Sequence, residues 1–190
     1  IITTGEGGMT TTNDSVLAQR MEELRSHGIV RNSAHFERPA AGSWVYEQQQ
    51  LGFNYRMSDI HASLGLSQLS RLDEIVNDRN RQLELYQSLL AKLPVKLLKV
   101  PEHVRSAVHL SVMCFNQDCE DIRRHVFDEL RSENIGVQIH YMPVHLQPYY
   151  RKLGFKDGQF PCSERYARNA ISLPVFAGLS DDQQGLISSK

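Results

Sequence analysis

The sequence predicts an α/β fold in which a small helix-and-sheet layer is carried on a long helix and preceded by the closing stretch of another domain. Residues 95–140 run in the order strand, strand, helix, strand, which packs as one helix on a sheet. Residues 57–93 hold a single apolar stripe at helical spacing: Leu69, Leu72, Val76, Leu83, Tyr86, Leu90 and Leu93. Over residues 29–52 that periodicity vanishes, and Pro39, Gly42 and Ser43 mark an excursion across the surface. The boundary falls beyond Trp44, so residues 1–50 close the first part and residues 51–190 form the helix-borne second.

The elements follow in order. Residues 1–4 and 9–12 are rich in Ile and Thr, which predicts two short strands joined by the turn Gly5-Glu6-Gly7-Gly8. Asn13 or Asp14 caps a helix whose apolar positions are Leu17, Met21 and Leu24, and Gly28 stops it. A continuous helix over residues 57–93 would run about 55 Å at roughly 1.5 Å per residue, a length at which helices bend or break. Asp73, Glu74, Asp78, Arg79 and Arg81 lie mostly off its stripe. Pro94 and Pro101 bracket a strand at 95–100, and residues 107–115 give a more apolar one. A helix over 118–134 buries Ile122, Val126 and Leu130 and ends at Gly136, after which 137–140 return as strand. Residues 163–172 read as helix stopped at Pro174, and another helix begins at Asp181.

Composition narrows the class of function. With 41% hydrophobic and 23% charged residues, the 190-residue chain is an ordinary globular sequence. Lys and Arg number 21 against 22 Asp and Glu, so no overall field recruits nucleic acid or an anionic membrane. No run approaches the roughly 18 apolar residues of a membrane span, and the start lacks the basic region and apolar run of a signal peptide. A soluble, cytoplasmic protein is expected. Cys114, Cys119 and Cys162 are too few for a disulfide framework and read as reduced thiols.

Three ordered motifs stand out: Ile2-Thr3-Thr4-Gly5-Glu6-Gly7-Gly8-Met9, then Arg25-Ser26-His27-Gly28-Ile29, then Leu51-Gly52-Phe53-Asn54-Tyr55-Arg56-Met57-Ser58-Asp59-Ile60-His61-Ala62. Further along come Gly65-Leu66-Ser67-Gln68-Leu69, His109-Leu110, Gln138-Ile139-His140-Tyr141-Met142-Pro143-Val144-His145 and Ile171-Ser172-Leu173-Pro174. Together they resemble the DegT/DnrJ-type sugar aminotransferases over essentially the whole chain. Within that family, residues 140–149 followed by Glu164-Arg165-Tyr166 look most similar to the transaminases of the pseudaminic-acid pathway, which aminate a UDP-linked 4-keto-6-deoxy hexosamine.

The resemblance implies the C-terminal part of a fold-type I enzyme dependent on pyridoxal 5'-phosphate (PLP). It also implies a homodimer with shared active sites that moves an amino group from glutamate to the C4 ketone of a nucleotide-linked sugar. In such enzymes the cofactor ring is the electron sink, a lysine holds it covalently, and the protein orients the bond to be broken. The family's lysine immediately precedes the Ile-Thr-Thr-x-Glu-Gly-Gly stretch, so it is expected just before Ile1 and this piece is expected to be inactive alone. Lys92, Lys96, Lys99, Lys152, Lys156 and Lys190 all lie far along the chain. Two alternatives stay open. One is the dehydratase branch, in which histidine replaces that lysine; the other is a noncatalytic interaction module built on the Leu69 to Leu93 stripe.

The resemblance also assigns roles to single residues. Asn54 corresponds to an asparagine that reaches across the dimer to the cofactor phosphate, where an amide donates without adding charge; by itself it reads first as a helix-entry or turn asparagine, and the motif around it favours the phosphate role. Arg56 offers a forked donor to the carboxylate of the amino donor or to a substrate phosphate, against the reading of a solvated or paired arginine. Glu6 would orient the lysine or accept from the sugar, against an exposed turn acid. His140, Tyr141 and His145 correspond to a segment near the nucleotide-sugar entrance, where imidazole and phenol offer hydrogen bonds and flat faces. Packing at a strand end is their alternative, and the two histidines have no metal-ligand partner at suitable spacing. His27 either borders the site or complements a helix dipole. Ser111 stands where relatives carry an aromatic residue, and Tyr149 and Tyr150 beside Pro148 either stack on a base or anchor the loop, the second being the preferred reading.

Overall fold

The computed structural model describes residues 1–117 and 120–190, which divide into two units, residues 2–70 and 71–190. In the first unit the strands expected over 1–4 and 9–12 do not form: both stretches are irregular. Their β-prone side chains have no ladder partner among the described residues, and β preference is a preference for a pleated, paired surface rather than a property of the backbone alone. Helix α1, Ser15–Arg25, starts as anticipated. The Asp14 carboxylate accepts from the Val16 and Leu17 amides at 2.9 and 3.1 Å.

The end of α1 differs from expectation. His27, at φ 65°, takes the left-handed position after the cap, and the Gly28 amide donates back to the Glu23 carbonyl at 2.8 Å. Strand β1, Ile29–Val30, then pairs antiparallel with β2, Glu47–Gln48, so the surface excursion is closed by a short ladder that its sequence did not announce. The Glu47 carboxylate ties the excursion down. It accepts from Gln49 Nε2 and from the Glu37 and Arg38 amides, and these bonds hold it below the ordinary carboxylate range.

The helical stretch expected over 57–93 is two helices, α2 Asp59–Leu69 and α3 Leu72–Leu89. Between them the Ser70 hydroxyl donates to the Ser67 carbonyl at 3.0 Å, a side-chain bond that competes with the helix ladder, and Arg71 leaves helical geometry at φ −110°, ψ 11°.

In the second unit, β3 (Val95–Leu97), β4 (Ser111–Phe115) and β5 (Ala170–Leu173) form an antiparallel sheet in the order β3-β4-β5. Val95 faces Phe115, and Met113 faces both Leu97 and Ile171. Tyr86 and Leu90, with Met113, Leu130, Val137, Ile171 and Ile187, belong to the core. Burying a side chain such as Ile171 stabilises by about 1.5–3 kcal/mol. Helix α4, Glu120–Ser132, ends on Asn134 at φ 60°, with the Ile135 amide donating to the Leu130 carbonyl at 2.9 Å; asparagine, not Gly136, supplies the left-handed residue. The expected start of that helix at Asp118, and Cys119, lie outside the described residues.

Residues 137–140 contribute one bridge, Gln138 to Ser172, rather than a strand. Helix α5, Pro148–Lys152, is short. Helix α6, Pro161–Asn169, stops earlier than expected because the next four residues, all buried, pair with β4 instead. Helix α7, Asp181–Ser188, opens with a reciprocal capping box between Ser180 and Gln183. The α3 stripe holds one polar surprise, the fully buried Gln82, whose amide donates to the Phe176 carbonyl and Asp78. Gln184 in turn donates to the Gln82 carbonyl, and the Tyr86 hydroxyl to that of Pro174 at 3.0 Å. Among the described residues, no helix is long and apolar enough to cross a membrane.

Candidate functional site

The segment carrying Asn54 is fixed by backbone pairing with the end of α1. The Phe53 amide donates to the Leu24 carbonyl at 2.7 Å, the His27 amide to the Phe53 carbonyl at 2.9 Å, and the Tyr55 amide to the Arg25 carbonyl at 2.9 Å. Two glycines permit this approach. A Cβ on Gly28 would lie 2.0 Å from the Gln50 carbonyl oxygen, and one on Gly52 would lie 2.2 Å from the Gly28 nitrogen. The rings of Phe53 and Tyr55 stack at 4.7 Å with 13° between planes, so strand alternation sends Asn54 to the other face. Asn54 is exposed, and no hydrogen bond engages its amide among the described residues.

Beside this segment is a cavity of about 970 Å³ whose walls include Glu6, Arg25, Tyr55, Arg56, Met57 and His61. Glu6 and Arg56 therefore share one cavity, while Asn54 lies on the neighbouring position outside its lining. Residues 2–70 contain no lysine. Of the residues the motifs assign here, the Asn54 amide and the Arg56 guanidinium are chemically suited to hold a cofactor phosphate. A covalent anchor for the cofactor is not among them.

In the second unit, His140 Nδ1 lies 2.8 Å from the Ser172 hydroxyl and its ring meets that of Tyr141 edge-on at 4.6 Å. His140 lines a cavity of about 500 Å³ together with His109, Gln138, Ser172 and Phe176. Tyr141 is 69% exposed. His145 is placed differently. It is buried, its Nε2 lies 2.9 Å from Glu164 Oε1, and its ring packs edge-on against Phe160 at 4.7 Å. Glu164 also accepts from the Gly158 and Phe160 amides, and these bonds, that of His145 foremost, hold its carboxyl below the ordinary range.

Ser111 is fully buried in β4 with no partner for its hydroxyl among the described residues, so it faces the interior. Burial likewise pushes the Cys114 thiol up, away from reactivity.

One feature of this site had no signal in the sequence. Val108, 3% exposed, sits at φ 50°, a conformation that β-branched residues avoid at a cost of about 1–3 kcal/mol. Arg79 Nη1 donates to its carbonyl at 2.9 Å, Asn80 donates to the Ser106 carbonyl at 2.9 Å, and the Val108 amide donates to the Ser106 hydroxyl. This strap delivers His109 and Leu110 to the rim of the His140 cavity.

Residues 1–190 match the DegT/DnrJ/EryC1/StrS aminotransferase family from end to end. The chain belongs to that family. It is similar to the spore coat polysaccharide biosynthesis protein SpsC of Bacillus subtilis, 36% identical over 95% of the chain and 47% of SpsC. It is also similar to the UDP-4-amino-4,6-dideoxy-N-acetyl-beta-L-altrosamine transaminase of Campylobacter jejuni, 31% identical over 91% of the chain and 44% of that protein. Among solved structures it superposes on Spr1654 of Streptococcus pneumoniae, designated a sugar aminotransferase and captured in its PMP form. The TM-score is 0.84 at 27% identity, covering 96% of the chain and 45% of Spr1654. The fold is that of the fold-type I PLP aminotransferases, as the motifs imply. The cofactor of the DegT/DnrJ/EryC1/StrS family is pyridoxal phosphate. The chain spans about half the length of the curated relatives it matches.

Proposed function

We propose that the protein carrying this chain is a PLP-dependent aminotransferase that moves the amino group of glutamate to the C4 ketone of a nucleotide-linked 4-keto-6-deoxy sugar, in the biosynthesis of a surface polysaccharide or glycan. The observation that carries this reading is the family match over residues 1–190. The cavity that places Glu6 beside Arg56, next to the pinned Asn54, supports it. Residues 1–50 close the large cofactor-binding domain, and residues 51–190 form the helix-borne small one. The active protein is a cytoplasmic homodimer with shared sites.

When bound, PLP supplies the electron sink that makes the amino-bearing carbon acidic. This chain's residues bind and orient. The Asn54 amide donates to the phosphate of the cofactor held by the twin subunit, on a backbone that three hydrogen bonds keep from drifting. Arg56 presents a forked guanidinium to an anionic group of the substrate, and Glu6 accepts from a sugar hydroxyl or from the lysine. His140, its Nδ1 engaged by Ser172, keeps Nε2 for the substrate side, and exposed Tyr141 offers its ring and hydroxyl at the entrance. His145 and Glu164 hold the loop behind them.

The full-length protein, reconstituted with PLP, is expected to aminate a UDP-4-keto-6-deoxy-N-acetylhexosamine with glutamate as donor. Asn54→Ala is expected to release the cofactor on gel filtration where wild type retains it. Absence of any cofactor absorbance after reconstitution would refute the proposal. Loss of the C3 oxygen without a gain of nitrogen would assign the dehydratase chemistry instead.

A further inference from the structure

Pro174, Val175 and Phe176, where the chain continues beyond β5, make one wall of the cavity that His140 lines. Helix α3 holds this stretch at three points. The Tyr86 hydroxyl donates to the Pro174 carbonyl at 3.0 Å, Gln82 Nε2 donates to the Phe176 carbonyl at 2.8 Å, and the Asp78 carboxylate accepts from the Gly178 amide at 3.4 Å. The side chains on α3 stand four residues apart and their partners two apart. Four residues of helix rise about 6 Å and two residues of strand cover about 6.6 Å, so the two repeats stay in step.

Bonds on either side extend the array. The Leu179 amide donates to the Phe176 carbonyl at 3.2 Å around Gly178 at φ 90°. Gln82 Nε2 also donates to Asp78 Oδ2, and Gln184 Nε2 of α7 donates to the Gln82 carbonyl, both at 2.8 Å. Toward β5, Ser172 lies two residues before Pro174. Its hydroxyl is 2.8 Å from His140 Nδ1, and its backbone exchanges two hydrogen bonds with Gln138.

Stability is not what these amides maximise. Gln82 and Gln184 are fully buried, and the Oε1 of each has no hydrogen-bond partner among the described residues, a penalty that a leucine of similar volume would not carry. A leucine, however, holds its neighbours without direction, whereas an amide that donates to one carbonyl selects one register.

We propose that Gln82 and Tyr86 are positioning residues for His140: they fix the register of residues 172–176, and with it the ring that Ser172 holds at the cavity. This inference rests on the reading of His140 as a residue on the substrate side and deepens it.

The test uses the full-length protein reconstituted with PLP, with the glutamate and keto-sugar half-reactions followed separately by cofactor absorbance. Gln82→Leu and Tyr86→Phe are each expected to raise the KM for a UDP-4-keto-6-deoxy-N-acetylhexosamine by up to about tenfold, the contribution of one hydrogen bond. The glutamate half-reaction is expected to keep its wild-type rate. In a His140→Ala background neither substitution is expected to add to the loss, because both act through that ring. Hydrogen exchange at the Ser172 and Gln138 amides, read without substrate, is expected to quicken in both variants. Gln87→Leu, on the exposed side of α3, is expected to match wild type throughout. An equal loss in both half-reactions, a full further loss in His140→Ala, an unchanged keto-sugar KM in both variants, or wild-type exchange in both would overturn the proposal. Quickened exchange in the variants of a protein whose wild type aminates no keto sugar would sink the aminotransferase reading while leaving the register device in place.

Discussion

Replacing Gly52 with alanine puts a methyl carbon 2.2 Å from the Gly28 nitrogen, 2.5 Å from the His27 carbonyl carbon and 2.8 Å from the Leu24 oxygen. Non-bonded carbons pack at roughly 3.5 Å, so the 51–55 segment must retreat from the end of α1 by roughly 1 Å. All three obstacles are backbone, and none can swing aside. That retreat stretches the bonds from the Phe53, His27 and Tyr55 amides beyond useful length. At roughly 1 kcal/mol net each, their loss costs about 3 kcal/mol, and the lower chain entropy of alanine returns about 0.5–1 kcal/mol. Gly52→Ala is therefore expected to destabilise residues 2–70 by about 2 kcal/mol. Gly185→Ala is the control: it lies inside α7 with nothing within 4 Å of its added Cβ, so alanine is expected to stabilise the helix by about 1 kcal/mol. Urea unfolding followed by circular dichroism reads both, and hydrogen exchange at the His27, Phe53 and Tyr55 amides reads the first locally. Wild-type protection at those amides in Gly52→Ala, or a weaker α7 in Gly185→Ala, would refute the packing argument.

Other consequences follow from the second unit. Glu164 has a carboxyl held below its ordinary 4.5, so its contribution to stability is complete above that value and disappears as pH falls through the lowered one. Glu164→Gln should therefore lower the urea midpoint at pH 7 and flatten its acid limb below about pH 4.5; an acid limb identical to wild type would contradict this. Tyr86→Phe keeps the ring but leaves the Pro174 carbonyl without its donor, an expected loss of about 1–2 kcal/mol in thermal or urea unfolding. Since burial pushes the Tyr86 hydroxyl well above its ordinary 10, its phenolate absorbance should rise only on unfolding. Exposed Cys162 is expected to react with iodoacetamide at least about tenfold faster than Cys114, with peptide mapping as the measure.

Local chemistry made part of this molecule readable in advance. Asp14 caps a helix because a short side-chain oxygen reaches the free amides of the first turn from its own position, with no help from distant residues. The stripe read from Leu69 to Leu93 is buried at Leu83, Tyr86 and Leu90 and exposed at its two ends, and the fully buried Gln82 does not stand out from the exposed polar residues around it. Arg56 and Glu6 stood in motifs, and the fold sets them on one cavity. Arg25 stood in a motif as well, but nothing in the sequence tied it to Arg56.

The motifs alone determined the family and the cofactor chemistry that goes with it, since both depend on residue type at fixed positions in the sequence. Tertiary structure decided where β-prone residues became strand. Ala170–Leu173 has β4 to pair with, while the Ile- and Thr-rich residues 1–4 and 9–12 have no strand beside them among the described residues. It also decided that His145 turns inward to Glu164 while His140 lines a cavity, and that Val108 is strapped into a conformation it would otherwise avoid. Both outcomes depend on partners tens of residues away, and a hydrogen bond across such a gap leaves no periodic trace in the sequence that makes it.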